Sequence, residues 1–410
     1  MEDPHDGHAP RRSWWRRLAI ALAATGTIAG IAVSVVALVD STSDNAPTEP
    51  FYEAPDPLPT GAPGTIIRSQ TLSSPPFGSK AYRILYLSRG HGGRAVALSA
   101  LLFVPRRPAP SSRRSIVAVA HGTVGVAREC AVSRGRGFVD DVDGLRRFIR
   151  AGHAVVVPDG EGRGTAGTHP YLVGDVTART MLDAVRATRR FAAADASQRF
   201  AVWGVGQGGH TALFTGQVAR AYAPELELAG VAAAAPMANL GRLVEATAAT
   251  PAGDVMASYM LATWSVVYPQ LDLAAVVGEP GRETIEQLSE LCVPIDHDRI
   301  GPALGDREVK LEYRSRRPWT DGPWRELLAR NAPGSAMIAA PVIITQGRDD
   351  TFVRPRATAR FVRYLCAQGA TVQYRPSRGV SHSDVGEKTA PYVSKWIAGR
   401  FAGRTARSTC

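Results

Sequence analysis

Cysteine is scarce in this sequence. Only four occur in 410 residues, at Cys130, Cys292, Cys366 and Cys410, and no two stand in a C-x-x-C spacing, so neither a metal cluster nor a thioredoxin-type dithiol is expected. Basic tracts interleaved with aromatics are also missing, although the net charge is +11. That charge is carried mostly by arginine spread over the whole length, which argues against a nucleic-acid partner. It reads as composition, with attraction to anionic lipid surfaces as the alternative. There are no internal repeats, which excludes a solenoid or propeller. What is present is a chain with 45% apolar residues, long enough for one large α/β domain with an insertion or for two domains.

The N-terminus carries the one long hydrophobic run. Leu18 through Val39 is uncharged and long enough to cross a bilayer, and Arg11, Arg12, Arg16 and Arg17 precede it. Residues 1–17 are therefore expected to be a cytoplasmic basic segment and 18–39 a transmembrane signal-anchor. The alternative is a cleaved signal peptide with Val35 and Ala37 at the cleavage site. Arg11-Arg12-Ser13-Trp14-Trp15 is loosely similar to a twin-arginine signal. Residues 40–63 read as a Pro-rich linker. The expected location is the cell membrane with an extracytoplasmic domain, or outside the cell if the signal is cleaved. All four cysteines fall on the exported side, where an even count points to two disulfides, with three pairings open.

Beyond the linker, strand-like and helix-like runs alternate. Tyr82–Leu87, Ala95–Val104, Ile116–Ala120 and Ala154–Val157 read as strands, and helices are expected from about Asp143 to Ala151 and from Asp175 to Phe191. Alternation of this kind implies a mostly parallel sheet with helices on both faces. From residue 240 to 334 the pattern changes to turn residues and charged helix-like runs with no clear buried strand, a mainly helical cap or lid insertion. It resumes with the strand Pro341–Gln346, a helix at Arg356–Gly369, the strand Thr371–Arg375 and a closing helix at Pro391–Phe401. The catalytic-type domain is thus expected over 64–239 and 335–405.

In the middle of that domain stands Gly204-Val205-Gly206-Gln207-Gly208-Gly209-His210, between the apolar strand Phe200–Trp203 and a helix from His210 through Tyr222. A strand, a glycine-rich bend and a helix form the context of a nucleophile elbow, in which the central residue of G-x-S-x-G projects its hydroxyl above the sheet. Gly204 and Gly208 occupy the flanking positions, but the central residue is Gly206, which has no hydroxyl. Gly204, Gly206 and Gly209 also spell G-x-G-x-x-G. A dinucleotide fold would want a carboxylate ending the next strand, and Leu228–Ala235 runs into Pro236-Met237 instead, so no cofactor is expected.

A late apolar strand ending at Gly347 is followed by Asp349 and Asp350, and the loop after the next strand carries Ser381-His382-Ser383. Elbow, acid and histidine in that chain order are the order of α/β-hydrolases, with Asp350 as the acid and His382 as the base. Alone, the Asp pair reads equally as turn or capping residues. His121-Gly122-Thr123-Val124-Gly125 after Ile116–Ala120 can present backbone N–H groups to an oxyanion together with Gln207 N–H. The alternative is a plain strand-to-loop turn. The expected oxyanion set is Gln207, His121, Gly122, Thr123 and Gly125.

The segment Asp159-Gly160-Glu161-Gly162-Arg163-Gly164-Thr165-Ala166-Gly167-Thr168-His169-Pro170-Tyr171-Leu172 resembles the D-Y-x-G-L-G-T-P-G-x-H-P-Y-L segment of the secretory lipase family. Phe51-Tyr52, His121-Gly122-Thr123, Cys130-Ala131, Leu365-Cys366-Ala367 and Ser408-Thr409-Cys410 extend the resemblance over roughly residues 51 to 410. It implies an α/β-hydrolase fold with a helical cap, hydrolysis of acyl esters including glycerides, no metal, and disulfides Cys130–Cys292 and Cys366–Cys410. The family elbow is similar to W-G-x-S-Q-G-G-H, and here Gly206 stands for its serine. Gly160 stands for the usual tyrosine.

An exported hydrolase fold with its acyl-enzyme step disabled is therefore expected, with an acyl ester or lipid as ligand. Losing a triad nucleophile costs on the order of 10⁶ in turnover in the protease case, roughly 8 kcal/mol of barrier. The alternatives are a slow hydrolase using water, Ser381 or Ser383, or a working lipase whose natural residue at 206 is serine. The sequence does not indicate an oligomeric state.

Overall fold

The computed structural model describes residues 49–73, 75–109, 113–135, 142–248, 250–292, 317–320 and 322–410. The expected basic segment, the run 18–39 and the start of the linker lie outside the described residues. Among those described, no helix is long and apolar enough to cross a membrane.

Nine strands form one sheet, β1 (Ile66–Leu72), β2 (Ser79–Arg89), β3 (Ala95–Pro105), β4 (Arg114–Ala120), β5 (Ala154–Pro158), β6 (Ala196–Val205), β7 (Glu227–Ala234), β8 (Val342–Gly347) and β9 (Val372–Ser377), in the order β1-β2-β3-β5-β4-β6-β7-β8-β9. Pairing is antiparallel from β1 to β5 and parallel from β5 through β9. The parallel strands are nearly continuous apolar runs because both their faces are covered by helices. On β4, Val117 and Val119 enter one core cluster while Ile116, Ala118 and Ala120 enter the other, the two-residue period of a strand buried on both sides.

The helices are α1 (Glu49–Tyr52), α2 (Leu145–Arg150), α3 (Gly174–Arg190), α4 (Gln207–Tyr222), α5 (Leu240–Thr247), α6 (Pro251–Val267), α7 (Glu279–Ser289), α8 (Gly322–Arg330), α9 (Pro355–Ala367) and α10 (Val385–Phe401). α3, α4 and α9 put Met181, Leu213 and Leu365 into one cluster. α2 and α10 put Phe148 and Ile397 into the other. The segment between β7 and β8 is helical throughout its described elements. α6 is buried almost all round, as an apolar helix without a polar face must be. Trp264 on α6 donates its indole N–H to Tyr171 O at 2.7 Å and stacks on Trp324 of α8 at 6.0 Å.

Several bounds differ from the sequence reading, three of them by more than the ends of an element. The linker does not run to Pro63 unpacked: α1 buries Phe51 and Tyr52, and the Tyr52 hydroxyl lies 3.0 Å from Ser133 Oγ. β1 is an additional edge strand whose mixed exposure hides its period. The closing helix begins at Val385 and continues through Pro391, which lies inside it rather than at its start.

Candidate active site

Register brings four strand ends to one edge. Ala120 pairs with Gly204, Val205 with Ala234 and Ala234 with Thr345, so the loops after β4, β6, β7 and β8 open at the same carboxyl edge of the sheet. Open parallel sheets build sites at that edge.

The turn from β6 into α4 is held by Gly206. Its φ of +56° and ψ of −111° lie where side-chain-bearing residues are strained. Its N–H donates to Ala234 O at 2.9 Å, and its carbonyl accepts from His210 N at 3.0 Å. The neighbouring glycines serve close approach: a Cβ on Gly208 would stand 1.9 Å from Ala120 O. This contact presses the start of α4 against the end of β4 and the loop from His121.

Asp350 and His382 are brought together as expected from their chain order. His382 Nδ1 lies 2.8 Å from Asp350 Oδ2, with the carboxylate fully buried and the imidazole 9% exposed. Asp350 Oδ1 accepts from the N–H groups of Phe352 at 3.0 Å and Val353 at 2.8 Å. The acceptor set leaves His382 Nδ1 as the donor and Nε2 free of that proton. A Cβ on Gly206 would stand 3.2 Å from His382 Nε2 and 3.6 Å from Met237 Cε. The outer nitrogen of the imidazole therefore faces the position from which a side chain at 206 would project.

Gln346 was not foreseen. Its Nε2 donates to Asp350 Oδ2 and to Val353 O, both at 3.0 Å, and its Oε1 accepts from Thr358 Oγ1 at 2.6 Å. A polar residue inside the buried run Val342–Gly347 was its sequence signal, since buried amides are kept where they are fully bonded.

Gln207 opens α4, so its N–H has no intrahelical partner and is available above the sheet edge. The loop residues divide. His121 and Gly122 lie next to the elbow, and His121 Nδ1 is engaged with Gly122 O at 2.7 Å. Burial, helped by the nearby Arg163 charge, pushes the His121 imidazole down to about 3, so it is neutral. The Thr123 hydroxyl is 3.0 Å from that of Tyr171. Gly125 is explained by packing: a Cβ there would be 2.5 Å from Cys130 Sγ and 3.0 Å from Cys292 Cα. Gly125 thus makes room for the disulfide. The Ser381 hydroxyl donates to Asp384 Oδ2 at 3.1 Å.

Behind Gln207 the buried residues of the next loop, Asp159, Glu161, Arg163, Thr165 and His169, are polar. Asp159 accepts from Ser99 Oγ at 2.6 Å and Ser133 N at 2.8 Å, and burial raises its carboxyl. Gly160 leaves room for the Arg163 guanidinium, whose Nη2 would lie 3.2 Å from a Cβ at 160. Both disulfides form, Cys130–Cys292 with Cα atoms 5.1 Å apart and Cys366–Cys410 with 5.4 Å. The first joins the loop after β4 to the helical segment before β8. Among the described residues no cluster of His, Cys, Asp and Glu is suited to a metal ion.

Comparison with known proteins places this geometry. The chain matches the secretory lipase family over residues 141–409. It is 24% identical to a Mycobacterium tuberculosis protein named probable inactive lipase, over 87% of this chain and 82% of that one. It is also 24% identical to a secreted triacylglycerol lipase of Malassezia globosa, over 88% of this chain and 82% of that one. In fold it is similar to Candida antarctica lipase A, with a TM-score of 0.73, 20% identity and 89% of each chain covered. Because the family match spans the elbow, the acid-bearing strand and the histidine loop together, this chain belongs to the secretory lipase family.

Proposed function

We propose that this chain is an exported protein that holds an acyl ester or lipid ligand beside the elbow and in which the acyl-enzyme step is disabled or strongly impaired. The observation that carries the reading is Gly206 at the strained centre of the elbow, with the Asp350–His382 pair aligned toward it. In this reading His382 is the base of the family reaction, Asp350 fixes its tautomer, and Gln207 N–H with the loop at His121 and Gly122 forms the oxyanion donors. Without an attacking oxygen the remaining parts stabilise an oxyanion that does not form at a useful rate. The name of the Mycobacterium tuberculosis relative is in keeping with this. The helices between residues 240 and 334 act as the cap over the ligand. The run 18–39 anchors the domain outside the membrane or is removed on export.

A fluorophosphonate ester probe tests the reading, because it labels activated serine. The expected result is no labelling together with saturable binding of long-chain acyl compounds. Labelling of any serine in the parent protein contradicts it.

A further inference from the structure

We propose that the cavity beside Gly206 takes a single-chain anionic amphiphile, its head on an arginine rim and its hydrocarbon directed toward the elbow. This rests on the acyl-ligand reading above and adds the charge and the orientation of the ligand. The orientation is opposite to that of a reacting ester, whose carbonyl would have to sit at residue 206.

The cavity has a volume of about 750 Å³ and lies between the chain following β7, the end of α8 and the start of α9. That is within the range of about 300–1,000 Å³ usual for small-molecule sites. Its inner wall is apolar, formed by Met237, Leu243, Phe352, Val353 and Phe361, none more than 8% exposed. Met237 Cε reaches to within 3.6 Å of a Cβ position on Gly206, and the Phe352 ring packs edge-on against His382 at 5.2 Å. Met237 and Phe352 therefore separate the cavity from the elbow and the histidine by one side chain each.

The rim is cationic. Arg242, Arg354, Arg356 and Arg360 line it and are all exposed. Glu245 is the one carboxylate lining it among the described residues, and it lies 3.2 Å from Arg317. Among the described residues Arg354 reaches a carbonyl, Ala246 O at 3.5 Å, and no carboxylate. Arg354 is the N-cap of α9, and Arg356 and Arg360 follow in its first two turns, with no acidic residue in the first turn and no side-chain cap. Cations at a helix N-terminus oppose the helix dipole. Three arginines gathered there, with Glu245 the one carboxylate on the rim among the described residues, are unfavourable for the free protein, and an anion on the rim removes the conflict. A carboxylate satisfies guanidinium forks in a bidentate way that a neutral ester head does not.

Displacement of a neutral fluorescent apolar probe from the full-length protein by myristate and by methyl myristate tests this. Myristate should bind about tenfold tighter, a difference one charge-assisted contact supplies. The gap should narrow as salt rises. In the Arg354→Gln/Arg356→Gln/Arg360→Gln variant it should close, with the methyl ester's affinity unchanged. The salt series on the parent protein does not depend on how the variant folds. Equal affinities in the parent, or a gap insensitive to both salt and the arginines, overturn the inference while leaving the acyl-ligand reading standing. Displacement by neither compound overturns both.

Discussion

A side-chain carbon on Gly206 would stand 3.2 Å from Nε2 of His382, whose other ring nitrogen is held 2.8 Å from Asp350. The two nitrogens of one imidazole thus face the acid and the elbow. A carbon at 3.2 Å is slightly closer than ordinary van der Waals contact, so any side chain at 206 requires His382 to give way by a few tenths of an ångström.

Gly206→Ala isolates that cost. The positive φ and the contact with His382 both oppose a methyl group, and the expected loss of stability is about 1–3 kcal/mol, read by urea unfolding. Unchanged or raised stability would mean the turn is not strained at 206.

Gln346→Leu should loosen the acid. It removes a donor to Asp350 Oδ2 and leaves the Thr358 hydroxyl without its acceptor. The expected loss is about 1–3 kcal/mol. In a Gly206→Ser background, turnover should fall while KM stays the same, since Gln346 acts through Asp350. A change in KM alone would count against a positioning role.

Gly125→Ala should act through the disulfide. Its φ of +121° and the 2.5 Å approach to Cys130 Sγ leave no room for a methyl group. Thiol titration of the purified variant should find free Cys130 and Cys292. The stability loss should approach that of Cys130→Ser/Cys292→Ser, about 2–4 kcal/mol. An intact bridge with parent-like stability would mean that the disulfide does not require glycine at 125.

Stability should fall as pH drops below about 6.5. Burial lowers His121 to about 3, His153 and His210 to about 4, and His169 well below its ordinary value. Between those values and 6.5 the unfolded chain binds protons that the folded protein refuses, so unfolding gains. Asp159 and Asp183, whose carboxyls are raised by burial, oppose this where they take up protons in the folded protein ahead of the unfolded chain, and the four imidazoles outnumber them. The melting temperature at pH 4.5 should be below that at pH 7; equality or the reverse contradicts the buried neutral imidazoles.

The elbow, the acid and the histidine were legible because each is a short pattern: a glycine bend between strand and helix, a carboxylate after an apolar strand, a histidine one strand later. Their order along the chain then linked them. The packing role of Gly125 was not legible, since a glycine in a turn reads the same whether or not it makes room for Cys130 Sγ and the backbone of Cys292. Gln346 was hidden because its partner Thr358 belongs to the next helix. β1 was missed because an edge strand with mixed exposure has no clean period. Pro391 suggested a helix start because proline is common there, while packing of Val385 and Ala390 carries the helix through it.

The most direct test is Gly206→Ser, assayed on a short-chain p-nitrophenyl ester beside the parent protein and Gly206→Ser/His382→Ala. Serine returns a hydroxyl to the position that His382 Nε2 faces, with the Asp350 pair already formed. The account predicts a rise in turnover of several orders of magnitude, accompanied by lower stability and lost on removal of His382. A parent protein that already hydrolyses the ester at an ordinary enzymatic rate dependent on His382, or a folded serine variant no more active than the parent, would contradict it.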